Sequence, residues 1–181
     1  MSKQACELLN RKSRSEIMIE EMKEEDYPHV WEIWLKEVKR AHLCICDKFW
    51  DSRLATMIDE TKNKADEKYV CKKNGQVVGF ITVRQDGYIF ELYVESRFQR
   101  QCVGTQLLEK LKENHKCLNV SVYKQNINAV KFYERQDFER EPDQCKPCSL
   151  TGFEKYMMKW PRKKQREQLV KNAHEANQAC K

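Results

Sequence analysis

The chain has 181 residues, 40% of them hydrophobic and 34% charged, with only 5 Gly and 4 Pro; this composition excludes a disordered protein and fits one folded domain. No apolar run approaches the roughly 18–20 residues of a membrane span, and residues 1–16 lack the continuous apolar stretch of a secretory signal, so a membrane partner is excluded and a cytoplasmic location expected. The net charge is +6, and most of it falls after residue 160.

Residues 1–16 form an N-terminal extension, 17–160 the folded domain, and 161–181 a basic tail. Ile17–Glu21 reads as a first strand. Asp26 caps a helix that begins near Pro28, a residue suited to the first helical turn. Val30, Trp31, Trp34, Leu35 and Val38 share one face of that helix, and Trp34 is expected in the core. A second helix spans about Asp47 to Lys64, with Leu54, Met57 and Ile58 apolar. Then the period changes to two. Lys68–Lys72, the Asn74-Gly75 turn and Gln76–Arg84 form a hairpin, because Asn-Gly supplies the positive φ angles of a two-residue turn. Asp86-Gly87 introduces a third strand, Tyr88–Val94. A helix over Thr105–Lys112, a strand over Leu118–Tyr123 and a helix over Asn128–Gln136 follow. Phe138, then Phe153–Trp160, close the sheet. The order β-α-α-β-β-β-α-β-α-β-β belongs to an α/β (α+β) fold.

Two segments carry chemistry. The first is Gln99-Arg100-Gln101-Cys102-Val103-Gly104-Thr105, between a strand and a helix. A loop that turns straight into a helix leaves backbone N–H groups without helical acceptors, and these attract phosphate. Gly104 permits close approach, and Arg100 adds a charge-assisted donor. The second is Asn126 to Phe138, in which Asn126 ends a strand and Tyr133 lies two helical turns on. By itself Phe132-Tyr133 is an aromatic pair for core packing.

The two segments together, in this order, resemble the GNAT acetyltransferase superfamily. Gln99 to Gly104 is similar to its Gln/Arg-x-x-Gly-x-Gly/Ala signature and follows Leu92-Tyr93-Val94, similar to the strand that precedes it there. Asn126 to Phe138 is similar to Asn-x-x-Ala-x-x-Phe-Tyr-x-x-x-Gly-Phe. The resemblance covers roughly Ile17 to Trp160. Within the superfamily the chain is similar to bacterial YiaC- and YjaB-like enzymes, and Ile33-Trp34-Leu35 with Ala41-His42, and Met158-Lys159-Trp160-Pro161, resemble the former. Three positions depart from the pattern: Cys102 replaces the first signature glycine, Asp137 the glycine before Phe138, and Ser96 a common proline.

The resemblance implies a GNAT-like mixed, mostly antiparallel sheet flanked by helices, and acetyl-CoA as acyl donor. It implies that Leu92, Tyr93 and Val94 pair with the pantetheine arm. Gln99, Arg100, Gln101, Cys102, Val103, Gly104 and Thr105 would cradle the pyrophosphate. Asn126, Tyr133 and Arg135 complete the cofactor contacts, and Tyr133 is the general acid that protonates the departing thiolate. The base is Glu91, weighed against a solvated carboxylate; Tyr93 through a water and His42 are the alternatives. The implied acceptor is a primary amine, on a protein lysine or N-terminus. A small-molecule amine or a non-catalytic CoA-binding module are the competing readings.

No metal is expected. Nine Cys without an export signal read as free thiols, and the pairs Cys44/Cys46 and Cys145/Cys148 are too far apart in sequence for a zinc site. In the tail, Arg162, Lys163, Lys164, Arg166, Lys171 and Lys181 outweigh Glu167 and Glu175. A solvated helix is the preferred reading; RNA is the alternative partner, disfavoured because no aromatic residue is interleaved for stacking.

Overall fold

The computed structural model describes residues 17–141 and 146–161. The 1–16 extension, the tail beyond Pro161 and Cys145 of the Cys-Lys-Pro-Cys pair lie outside the described residues. The chain divides into two compact units between His115 and Lys116.

In the first unit, β1 (Ile17–Glu21) leads into α1 (Tyr27–Ala41) and α2 (Asp47–Asp59). Then come β2 (Glu67–Lys73), β3 (Gln76–Val83), β4 (Tyr88–Val94) and α3 (Val103–Asn114). The four strands form an antiparallel meander in the order β1-β2-β3-β4. Asn74 and Gly75, at φ 51° and 76°, make the two-residue turn between β2 and β3, as their sequence predicts. The second helix ends in a π-helical turn over Glu60–Lys64.

Val77 through Val83 are all buried, so β3 is covered on both faces. Gly79 decides how one of them is covered. A Cβ there would stand 2.9 Å from Tyr93 O and 3.2 Å from a Val103 methyl. Its absence is what lets the first turn of α3 lie against β3 and β4. By strand alternation Phe80 points to the opposite face, where its ring stacks on Tyr93 with centroids 6.1 Å apart. That face is left to α1, which packs on β3 and β4.

Two local expectations for α1 need correction. Asp26 holds the cap position, but its side chain does not cap α1. Its carboxylate accepts the Lys23 N–H at 2.9 Å and pairs with Lys72 at 2.9 Å, because a buried ion pair binds it more firmly than a helix end would. The buried stripe is Tyr27, Val30, Ile33, Trp34, Glu37 and Val38. Thus Ile33 and Glu37 take the places expected for Trp31 and Leu35, which are only half-buried. Trp34, 3% exposed, meets Trp50 edge-on at 6.2 Å and is core.

The second unit holds β5 (Leu118–Tyr123), α4 (Ile127–Arg135), β6 (Glu139–Arg140), β7 (Lys146–Pro147) and β8 (Glu154–Trp160). β8 pairs antiparallel with β5 along its length, Leu118 opposite Trp160 and Tyr123 opposite Lys155. The short strands β6 and β7 also pair with β8. Leu118, Val120 and Val122 alternate inward and build the core with Val130, Tyr133, Phe138 and Met158. Phe138, expected among the sheet-closing residues, ends the α4 cap and leads directly into β6. Asp137 is left-handed at φ 66°, and the Phe138 N–H returns to Tyr133 O at 3.0 Å, a Schellman-type closure. The fold is the α/β (α+β) arrangement read from the sequence, an antiparallel sheet flanked by helices.

Candidate active site

In the first unit, the candidate residues lie on a strand, a loop and a helix start. On β4, Leu92, Tyr93 and Val94 pair with Ile81, Phe80 and Gly79 of β3. The strand ends at Val94, and the N–H of Glu95 beyond it still donates to Val78 O at 2.9 Å. A single 3-10 turn, Ser96–Phe98, follows. Arg100 and Cys102 are then both left-handed, at φ 60° and 65°. Left-handed residues set among right-handed or extended ones turn successive N–H groups toward one point, the geometry of an anion nest.

Cys102 is the N-cap of α3. The first intrahelical bond runs from Gln106 N–H to Cys102 O at 2.9 Å, so the Val103 and Gly104 N–H groups face out of the helix start, at the positive end of its dipole. The residues therefore fit a pyrophosphate. The left-handed Cys102 answers the question its substitution raises: the conformation that suits glycine is kept, at a cost of about 1–2 kcal/mol. Its sulfur is disulfide-bonded, against the expectation of free thiols, whereas Cys44, Cys46, Cys71, Cys117 and Cys148 are free.

Gln99 and Gln101 were expected on the ligand. Their side-chain amides hold the loop itself, Gln99 Nε2 donating to Val94 O at 3.0 Å and Gln101 Nε2 to Arg97 O at 2.9 Å. Arg100 is exposed, as a residue waiting on a phosphate would be.

Glu91 and Tyr93 lie on the face of β4 opposite to α3, with Glu91 across from Thr82 of β3. Thr82 is fully buried, and its hydroxyl has no hydrogen-bond partner among the described residues. His42 is buried at the end of α1, its ring tilted by 30° against Trp50 with centroids 5.2 Å apart.

In the second unit, the candidate residues lie on α4. Asn126 is its N-cap, with Oδ1 accepting the Ala129 N–H at 3.1 Å. Seven residues on, Tyr133 is 5% exposed and lies between Phe132 and Phe138, edge-on at 5.2 and 5.1 Å. Its ring is packed as core, and that packing leaves the phenol few orientations. Arg135 is exposed in the last turn of α4.

Sequence reasoning passed over Glu37 and Glu95, two buried carboxylates at the entry of the loop. The one signal for Glu37 was its place seven residues after Val30, on the apolar stripe. Among the described residues no three His, Cys, Asp or Glu side chains are gathered as a metal ion would need. Among them, too, no helix is long and apolar enough to cross a membrane.

Residues 35–160 match the acetyltransferase (GNAT) domain family. The chain is similar to the peptidyl-lysine N-acetyltransferase YiaC of Escherichia coli, 24% identical over 144 residues that span 80% of this chain and 97% of that protein. Its fold is similar to that of the PaiA N-acetyltransferase of Thermoplasma acidophilum in complex with coenzyme A, with a TM-score of 0.64 at 15% identity over 79% of this chain and 97% of that one. It is also similar to the apo form of YjaB from Escherichia coli, with a TM-score of 0.66 at 19% identity over 80% and 97% of the two chains.

Proposed function

The chain belongs to the GNAT acetyltransferase family and is an acetyl-CoA-dependent enzyme of acyl transfer to an amine, and from that premise we propose that its acceptor is a protein amine, a lysine side chain or an N-terminus. The observation that carries the acceptor class is the similarity to a peptidyl-lysine N-acetyltransferase along 97% of that enzyme. A cytoplasmic location belongs to the same reading.

Bound acetyl-CoA would supply a thioester open to direct attack by the amine, so no cysteine nucleophile is needed. In this reading Leu92 to Val94 offer their backbone to the pantetheine arm. The Val103 and Gly104 N–H groups and the Arg100 guanidinium hold the pyrophosphate. Tyr133 gives its proton to the leaving thiolate. A phenol near pKa 10 and a thiol near 8.5 are close enough for such a transfer. Glu91 accepts the amine proton, directly or through water. An ammonium near pKa 10.4 must lose that proton before it attacks.

Thiol release from acetyl-CoA, followed with lysine peptides, free N-terminal peptides and small amines, tests the proposal. Turnover is expected on the peptides, and Tyr133→Phe should lower kcat by about 100-fold with acetyl-CoA affinity nearly unchanged. Turnover confined to small amines would overturn the acceptor class. Binding of acetyl-CoA without turnover on any amine would leave a CoA-binding module.

A further inference from the structure

Glu37 sits where α1 should carry a hydrocarbon. It lies three residues after Trp34, four after Ile33 and seven after Val30, all buried on the same stripe, and its side chain is only 4% exposed. A carboxylate so placed costs several kcal/mol in lost hydration unless the protein holds it, and an apolar residue of similar volume is often no worse for stability. Among the described residues its cationic neighbour is weak: Arg40 Nε stands 3.7 Å from Oε2, and the Arg40 side chain is 62% exposed. The firm contact is with backbone. Glu37 Oε1 accepts the N–H of Ser96 at 3.0 Å, and Ser96 opens the 3-10 turn that leads from β4 toward α3.

The neighbouring position of α1 reaches the same place through a weaker, half-exposed ion pair. Lys36 Nζ lies 3.5 Å from Glu95 Oε1, which also pairs with Arg97 Nε at 2.9 Å. Residues 95, 96 and 97 are thus tied, directly or through Glu95, to two successive side chains of one helix. From there the position is passed on, because Gln101 Nε2 is bonded to Arg97 O, and the left-handed Arg100 and Cys102 flank Gln101. Left-handed non-glycine residues persist only where surrounding bonds over-determine them. The donor at 96 exists because this chain has serine where a proline, without N–H, is common in the resemblance described above.

We infer that Glu37 is a positioning residue for acetyl-CoA: by fixing the Ser96 N–H it sets the direction in which residues 96–102 leave β4, and so the aim of the N–H groups at the start of α3. The inference rests on residues 99–105 being the phosphate cradle. It makes α1 a support of the donor site.

Four variants of the full chain test it: Glu37→Ala, Glu37→Gln, Ser96→Pro and the double Glu37→Ala/Ser96→Pro. Proline suits position 96 sterically, since Ser96 opens a helical turn and Glu95 before it is extended at φ −53°, ψ 133°. For Glu37→Ala we expect the acetyl-CoA Kd and KM to rise about tenfold, some 1.4 kcal/mol, with kcat within about twofold and the acceptor KM unchanged. Glu37→Gln keeps an oxygen for the same N–H and should stay within about threefold of the wild type. Ser96→Pro removes the donor and should weaken acetyl-CoA as Glu37→Ala does, and adding Glu37→Ala to it should change nothing further.

A wild-type Kd for Glu37→Ala overturns the inference, as does an additive double variant. Failure of Glu37→Gln to restore affinity does the same. Arg100→Ala separates the two levels. If it weakens acetyl-CoA and Glu37→Ala does not, the positioning role alone fails. If neither does, the cradle itself lies elsewhere.

Discussion

Cys148 lies in the turn before β8, its sulfur 3.4 Å from Tyr123 Oη, which is in turn 3.4 Å from Thr151 Oγ1. Partial burial works to raise this thiol, but hydrogen bonds from Tyr123, Thr151 and the backbone of residues 150 and 151 outweigh it and bring it down to about 6. Cys71, fully buried with no such donors, is pushed up to about 12. The sign follows directly. The thiolate of Cys148 is favoured in the fold over the ordinary value of 9.0, so its contribution to stability is complete above about pH 9 and lost as the pH falls through about 6. Iodoacetamide labelling followed by peptide mapping should show Cys148 half-maximally reactive near pH 6 and Cys71 unlabelled at pH 8. Labelling of Cys148 no faster at pH 7 than that of the exposed Cys44 would refute this. The sequence showed the cysteine but not its donors, because Tyr123 is 25 residues away along the chain and is brought near by the fold.

At the scale of an element, the start of α3 depends on a residue outside it. Gly79 leaves the space in which Val103 and the carbonyl of Tyr93 come together. Gly79→Ala would place a methyl 2.9 Å from that carbonyl, and backbone cannot yield as a flexible side chain does. We expect a loss of about 1–3 kcal/mol in stability and a weaker grip on acetyl-CoA as the helix start is pushed outward, to be measured by denaturant unfolding and calorimetry. Unchanged values in both would mean that the helix start is not seated by this contact. The loop motif was legible because its spacing is local: strand, polar loop, glycine and helix all fall within residues 88–114. Its internal bonds were not, since Gln99 and Gln101 read equally well as ligand contacts until their partners Val94 O and Arg97 O are seen.

Over the whole molecule, donor binding should show as stability. A ligand held only by the folded state adds about 2.7 kcal/mol when present at 100 times its Kd. For a chain of this size that is a rise of roughly 5–10 °C in Tm on saturation with acetyl-CoA, measured by scanning fluorimetry; no shift would argue against a built donor site. The order of elements, the Asn74-Gly75 and Gly87 turns and the two spaced motifs were set by the sequence alone. Each depends on residues close together in the chain and on the periods of strand and helix. Only the tertiary structure decided that Glu37 is spent on the Ser96 N–H, that Asp26 is paired with Lys72, and that Phe138 packs on Tyr133. In each case a buried group takes the partner that the fold, and not its neighbours in sequence, brings within reach. Hydrophobic pattern says which residues leave water, but a buried polar group is satisfied by whichever donor, acceptor or ring the assembled fold supplies.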